Sequence, residues 1–141
     1  QDTPIRCLGP RKGQERAAWQ DRGYWKVVGR DLLPTTDPRI AWGDMHRLPY
    51  WDGTVGLAFC SHVLEHSLDV TRVAREIVRV LAPDGHLFAA FPIHFTVSSH
   101  DRFDFKSAHG FLETFAPGRF TRLWSRETPT EAAVLARLIS P

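Results

Sequence analysis

The chain carries little sulfur, with two cysteines and one methionine in 141 residues. Cys7 and Cys60 each sit in an apolar run and neither has a Cys-x-x-Cys partner. That pattern predicts two buried thiols in a reducing compartment and excludes a disulfide framework or a closed cysteine zinc site. Charge of one sign is also lacking. A net charge of +2 with 24% charged residues is neither a nucleic-acid footprint nor a signature of disorder. No apolar run is long enough to span a membrane, and no charged-then-apolar N-terminus marks a signal peptide. The expectation is one domain over residues 1–141, cytoplasmic, with neither a membrane nor a nucleic acid as partner. Oligomeric state is left open. The start at Gln1, almost directly before a strand-like segment, points to a chain trimmed at its N-terminus.

At 43% hydrophobic, the chain has enough apolar material to build a core alone. The stretch from Trp42 to Phe95 organises it. An apolar run from Val55 to Cys60 is followed by Ser61-His62-Val63-Leu64-Glu65-His66. An amphipathic segment then leads through Pro83-Asp84-Gly85 to a second apolar run, Leu87 to Phe91. Strand, helix, Gly-capped turn and strand make a βαβ unit of a parallel sheet. Val70, Val73, Ala74, Ile77, Val78 and Leu81 recur at helical spacing, with Arg72, Arg75, Glu76 and Arg79 predicted on a solvated face. Ser67 or Asp69 can cap that helix at its start and Gly85 at its end.

The first third reads strand (Ile5 to Leu8), Gly loop (Gly9 to Gly13), helix (Gln14 to Asp21) capped by Gly23, strand (Trp25 to Gly29) and then Asp31. A Gly loop lets bare backbone and a helix N-terminus approach a ligand, and an acid about twenty residues on commonly takes a ribose hydroxyl pair. The same residues also make an ordinary tight turn and a surface acid, and spacing alone does not separate the two readings. Pro34 and Pro38 leave only a short crossover into a third strand, Arg39 to Trp42. Late in the chain, Lys106 to Phe115 reads as helix, Phe120 to Trp124 as strand, and Pro129 to Ile139 as helix capped by Thr128. The fold class is α/β, a Rossmann-like, mostly parallel sheet flanked by helices. The expected strand order is 3-2-1-4-5, with the Phe120 strand antiparallel beside the fifth.

These motifs together resemble the class I S-adenosylmethionine-dependent methyltransferases of the small type 11 group. The residues that carry the resemblance are Gly9 to Gly13, Asp31, Gly43-Asp44-Met45 with Leu48-Pro49, Val63 to His66, Glu76 to Gly85, and Asp101 to Phe105. It implies a minimal or truncated methyltransferase fold lacking its last strand, and S-adenosylmethionine as cofactor. It implies that Gly9, Arg11 and Gly13 lie under the methionine part and that Asp31 holds the ribose hydroxyls. Asp44 then accepts from the adenine amino group, Met45 meets the ring, and Cys60, Ser61 and His62 flank the sulfonium. One departure stands out, since Arg11 occupies the place of a third loop glycine. A guanidinium there must turn away or reach the methionine carboxylate.

The implied activity is methyl transfer to a small-molecule or glycan-type acceptor. Catalytic candidates are His94, His62 and Asp101, in the segments that follow the fourth and fifth strands. His94 is the first choice for a base, because imidazole titrates near neutral pH. No metal site is expected, since the histidine spacings fit no closed zinc pattern. Two other classes compete. One is a degenerate domain that binds cofactor or a partner without turnover, which Arg11, the short second crossover and the missing last strand favour. The other is a nicotinamide-dependent oxidoreductase, which the absence of G-x-G-x-x-G disfavours.

Overall fold

The computed structural model describes residues 2–10, 13–32, 37–38 and 40–140. Seven strands form one sheet. They are β1 (Ile5–Leu8), β2 (Val27–Asp31), β3 (Ile40–Trp42), β4 (Val55–Ser61), β5 (Leu81–Pro92), β6 (Phe120–Glu127) and β7 (Glu131–Leu138). Their order is β3-β2-β1-β4-β5-β7-β6. The first five are parallel, while β7 runs antiparallel to β5 and β6 antiparallel to β7. Helices α1 (Gln14–Asp21), α2 (Val70–Val80) and α3 (Ala108–Phe115) pack on the sheet, and a short 3-10 turn covers Leu64–His66.

Alternation along the strands sorts side chains between two cores. Ala58 and Cys60 of β4, with Leu87, Ala89 and Phe91 of β5, enter the larger cluster with α2 and α3. Leu57 and Phe59 point to the other face, where Ile5, Cys7, Val27 and Trp19 of α1 form a smaller cluster. Phe59 stacks on Phe88 at 4.7 Å, which fastens β4 to β5 on that face. Both cysteines are free and buried on neighbouring strands, with Cys7 opposite Phe59 and Leu8 opposite Cys60. Burial pushes the Cys7 thiol up to about 12 and raises that of Cys60 further.

Three sequence expectations are corrected here. The segment expected as a last helix is β7. Its Glu, Ala, Leu and Arg residues favour helix locally, yet Ala132, Val134, Ala136 and Leu138 alternate into the core at a period of two. The sheet therefore does possess a strand after β6, and that strand occupies the place beside β5. The Phe120 strand is displaced to the outer edge, where most of its residues are exposed. Gly85 does not cap α2. The helix ends at Val80, Leu81 pairs at once with Val55, and the next pair is His86 with Leu57. Residues 82–85 bulge out between those pairs, with Asp84 at φ 58°.

The face of α2 expected to be solvated clamps the loop between β3 and β4. Arg79 donates to the carbonyls of Leu48 and Tyr50 and to Asp52 and Glu76, and Glu76 accepts from the Leu48 N–H at 2.7 Å. The Arg79 hydrogen bond holds the Glu76 carboxyl below its ordinary range, partial burial opposes this, and the Leu48 N–H adds to it. A depressed carboxyl stabilises the fold above its unfolded pKa and loses that contribution as pH falls through the folded value. Glu76→Gln should therefore cost about 1–3 kcal/mol at pH 7. Urea unfolding at pH 7 and at pH 3 checks it, with the difference from the parent shrinking at the lower pH.

Candidate functional site

The site residues expected from the sequence fall along one edge of the sheet, at the carboxyl ends of five consecutive parallel strands. In spatial order these are Asp44 after β3, Asp31 closing β2, Gly9 after β1, His62 after β4 and His94 after β5. Backbone bonds extend each ladder to that edge. Gly43 N–H donates to Asp31 O at 3.0 Å, Gly9 N–H to Arg30 O at 2.8 Å, and His62 N–H to Ala90 O at 2.8 Å. The strand order reverses between β2 and β4 on either side of β1, and open parallel sheets bind ligands at such a point.

The glycines of the first loop are required by geometry. Gly9 has φ 69°, and a Cβ there would stand 2.5 Å from Cγ2 of Val63, in the segment after β4. Gly13 has φ 70° and precedes α1 as its N-cap, with no side-chain cap bond among the described residues. A Cβ on Gly13 would collide with the carboxylate of Asp37, whose partner Arg16 is a fully buried guanidinium in the first turn of α1. Arg11, the departure within this loop, lies outside the described residues. Asp31 is buried at the end of β2, next to Gly9 across the ladder.

Asp44 is held by its neighbour His46. Its Oδ1 accepts from the His46 N–H at 2.8 Å and from His46 Nδ1 at 2.7 Å, and among the described residues no hydrogen bond reaches Oδ2. Burial tends to raise the Asp44 carboxyl, but these hydrogen bonds from His46 and the charge of Arg72 outweigh it and hold the group low. His46 Nε2 in turn accepts from the N–H of Asp69, the N-cap of α2. Met45 is half-buried and packs on the larger core. The position of Asp44 is thus fixed from the helix as well as from the sheet, which its sequence spacing does not reveal.

On the other side of β1 the expectations divide. The side chain of Cys60 lies wholly within the larger core, so any cofactor contact there falls to its backbone. His62, at φ 51°, reaches across to β7 and bonds Glu131 at 2.9 Å, away from the Gly9 loop. Glu131 has no signal in the sequence, because its strand reads as helix. His94, at φ 58°, gives its N–H to Asp104 at 3.2 Å and holds its ring exposed. Asp101 does not meet His94; it contacts His66 Nδ1 at 3.1 Å.

Comparison with known proteins follows this geometry. A family model described as a methyltransferase domain matches residues 7–89, which include Gly9, Asp31, Asp44 and His62. Malonyl-[acyl-carrier protein] O-methyltransferase of Halorhodospira halophila is 40% identical over 55 residues, 38% of this chain and 19% of that protein. The chain thus matches about a fifth of the length of that relative. A crystal structure of a Pyrococcus horikoshii protein superposes with TM-score 0.79 at 16% identity, covering 98% of this chain and 82% of that one. An S-adenosylmethionine-dependent methyltransferase of Mesorhizobium loti superposes with TM-score 0.73 at 17% identity, covering 94% and 90%. At such identities the two structures speak for the fold.

The Gly9 loop can be tested for its dependence on Val63. Gly9→Ala should destabilise by more than the roughly 1–2 kcal/mol of a left-handed non-glycine residue, because the new Cβ also meets Val63. Adding Val63→Ala should recover part of the loss, so thermal unfolding of the four variants should show coupling; strict additivity would mean the loop moves freely. With the family model covering more than half of its length, this chain belongs to the methyltransferase domain family, the S-adenosylmethionine-dependent methyltransferases that its sequence resembles.

Proposed function

We propose that this chain binds S-adenosylmethionine over the Gly9–Gly13 loop and transfers its methyl group to a small-molecule or glycan-type acceptor. The observation that carries this reading is the alignment of Gly9, Asp31 and Asp44 at the ends of three neighbouring strands inside the segment the family model matches. The residues suit the cofactor physically. Positive φ at Gly9 and Gly13 bares the backbone before α1, and the buried Asp31 carboxylate beside them suits a pair of hydroxyls. Asp44 keeps one oxygen for an amino group. When bound, S-adenosylmethionine supplies a methyl carbon already activated by the sulfonium. The protein then needs chiefly to hold an acceptor atom at attack distance and to take its proton.

His94 suits the second task. It follows β5, and among the described residues its ring has no hydrogen-bond or ion-pair partner, so it is available to an acceptor. His62 is engaged by Glu131, and Asp101 by His66, which leaves them supporting places in the wall. A domain that binds without turnover is less favoured than the sequence implied. One of the three features behind it, a missing last strand, is removed by β7.

Calorimetric titration with S-adenosylhomocysteine tests the cofactor site. Asp31→Ala should weaken binding by about 1.5–3 kcal/mol, the range for a charge-assisted hydrogen bond, and Asp44→Ala by somewhat less. Affinity equal to the parent in both variants would place the cofactor elsewhere. With an identified acceptor, His94→Ala should lower turnover by about 10²–10⁴ and leave S-adenosylhomocysteine affinity nearly unchanged. Parental turnover would remove His94 as the base.

A further inference from the structure

Resting on the cofactor placement above, we propose that the cavity between the ends of β4 and β6 is the acceptor subsite and takes a small planar aromatic acid. The cavity has a volume of about 280 Å³, close to the lower bound of roughly 300 Å³ for small-molecule pockets. His62, Ala90, Trp124, Arg126, Glu131 and Ala133 line it. The sequence conceals it, because Glu131 and Ala133 belong to the strand whose letters favour helix.

Strand register explains why a cavity lies here. Ser61 of β4 is opposite Ala90 of β5, Ala90 is opposite Ala133 of β7, and Ala133 is opposite Arg126 of β6. Residues paired in this way point to one face of a sheet, so the four make a row across it. The neighbouring row on that face is Phe59, Phe88, Leu135 and Trp124, all large. Two adjacent alanines beside that bulky row leave a flat-floored depression with Trp124 as one wall. Helix α1 packs on this face and reaches Phe59 through Trp19 at 5.7 Å, while α2 and α3 lie on the other. Adjacent strands are about 4.8 Å apart, so the row runs roughly 14 Å from Ser61 to Arg126. That length holds one aromatic ring between an acid group on Arg126 and a reacting atom near Ser61, at the strand end beside Gly9.

Charge selects the ligand. Among the described residues the Arg126 guanidinium has no hydrogen bond or ion pair. The acids near it in the chain are engaged elsewhere. Glu127 Oε1 accepts from the Ala108 N–H at 2.7 Å, and Glu131 Oε1 meets His62 Nε2 at 2.9 Å. The His62 contact holds Glu131 at the opposite wall, so Arg126 stands as an unneutralised cation at the far end of the row. A planar guanidinium takes a carboxylate through two parallel hydrogen bonds. The Trp124 indole, 47% exposed on the same face, offers an apolar wall to a ring. An aliphatic acid would leave that wall unused, and a neutral aromatic would leave Arg126 unpaired. An aromatic acid meets both.

Heteronuclear NMR titration of the full chain with benzoate and with benzamide tests the subsite. Benzoate should shift the Trp124 indole N–H and the amides of Arg126 and Ala133 saturably. Benzamide, alike in shape but uncharged, should bind about tenfold more weakly. Arg126→Gln should remove the preference for benzoate. Ala133→Leu, which fills the floor, should weaken both probes about tenfold or more. Trp124→Ala, on the outer strand, should also weaken both and keeps the test intact if Ala133→Leu does not fold. No saturable shift, equal affinity for the two probes, or a preference that survives Arg126→Gln would overturn the subsite. Shifts of the same residues on raising protein concentration without a probe would mean that a second copy covers the cavity, and would overturn it too. S-adenosylhomocysteine titrated into the same samples reports the cofactor site separately. Benzoate binding without S-adenosylhomocysteine binding would sink the cofactor placement alone.

Discussion

The placement of β1 between β2 and β4 is the constraint on which the functional edge depends. Chain order would set β3 on the far side of β2 and then has to return past β1 to lay down β4. At that reversal the loops leaving β1 and β4 diverge, one toward α1 and one toward the 3-10 turn. They remain in touch because Gly9 has no side chain where Val63 sits. The parallel register of Leu8 with Arg30 and with Cys60 brings Asp31 and Ser61 level on either side of Gly9. Carboxylate, bare backbone and strand end are thus aligned by ladder hydrogen bonds. Side-chain packing of the site residues themselves contributes little to that alignment.

A second layer of order comes from polar contacts between α2 and the loop after β3. That loop has few ladder bonds, since β3 is only three residues long and lies at the sheet edge. His46 bridges Asp44 to the N-cap of α2, Arg72 donates to the His46 carbonyl, and Arg79 and Glu76 grip Leu48 and Tyr50. Each such bond is worth little in water, but together they share partly buried partners and polarise one another. They fix the Asp44 carboxylate at the end of a strand only three residues long. The position of Asp44 therefore depends on a helix whose own apolar face lies in the larger core, so core packing is relayed to the edge.

The first four strands were legible in the sequence because each is a short apolar run bounded by Gly, Pro or Asp, and α1 and α2 because periodicity and caps agree. The late part was legible only in part. In β7 the helix-forming letters of Glu131 to Leu138 mask a period of two that only pairing with β5 makes decisive. The Phe120 strand, β6, was legible as a strand, but its mostly exposed residues do not reveal that it lies at the edge beyond β7. Gly9, Asp31 and Asp44 could be found from spacing, because a loop glycine and a strand-end acid have local signatures. The roles of Glu131, Arg79 and Asp101 could not, since each acts on a residue between 27 and 69 positions away.

Strain and incomplete pairing are concentrated at the same edge. His62 and His94 each follow a central parallel strand, and both take left-handed backbone at φ 51° and 58°. Such a conformation costs a non-glycine residue about 1–2 kcal/mol, and histidine tolerates it better than most. Two consecutive strands ending alike cannot be explained by helix termination or hairpin geometry, because neither strand enters a hairpin there. At His62 the side chain reaches across to Glu131 of β7, while the His94 backbone N–H is held by Asp104. Glu65, buried nearby with an oxygen lacking a hydrogen bond, adds a desolvation cost at the same place. The larger core is apolar and aromatic, with Phe91, Phe111 and Phe115 stacked through its middle and Phe105 edge-on to Phe91 and Phe111. A fold with that reserve can carry local strain, and proteins place such strain where ligands compensate it. The stability of the aromatic core and the strain at the edge are then two aspects of one distribution of polar groups.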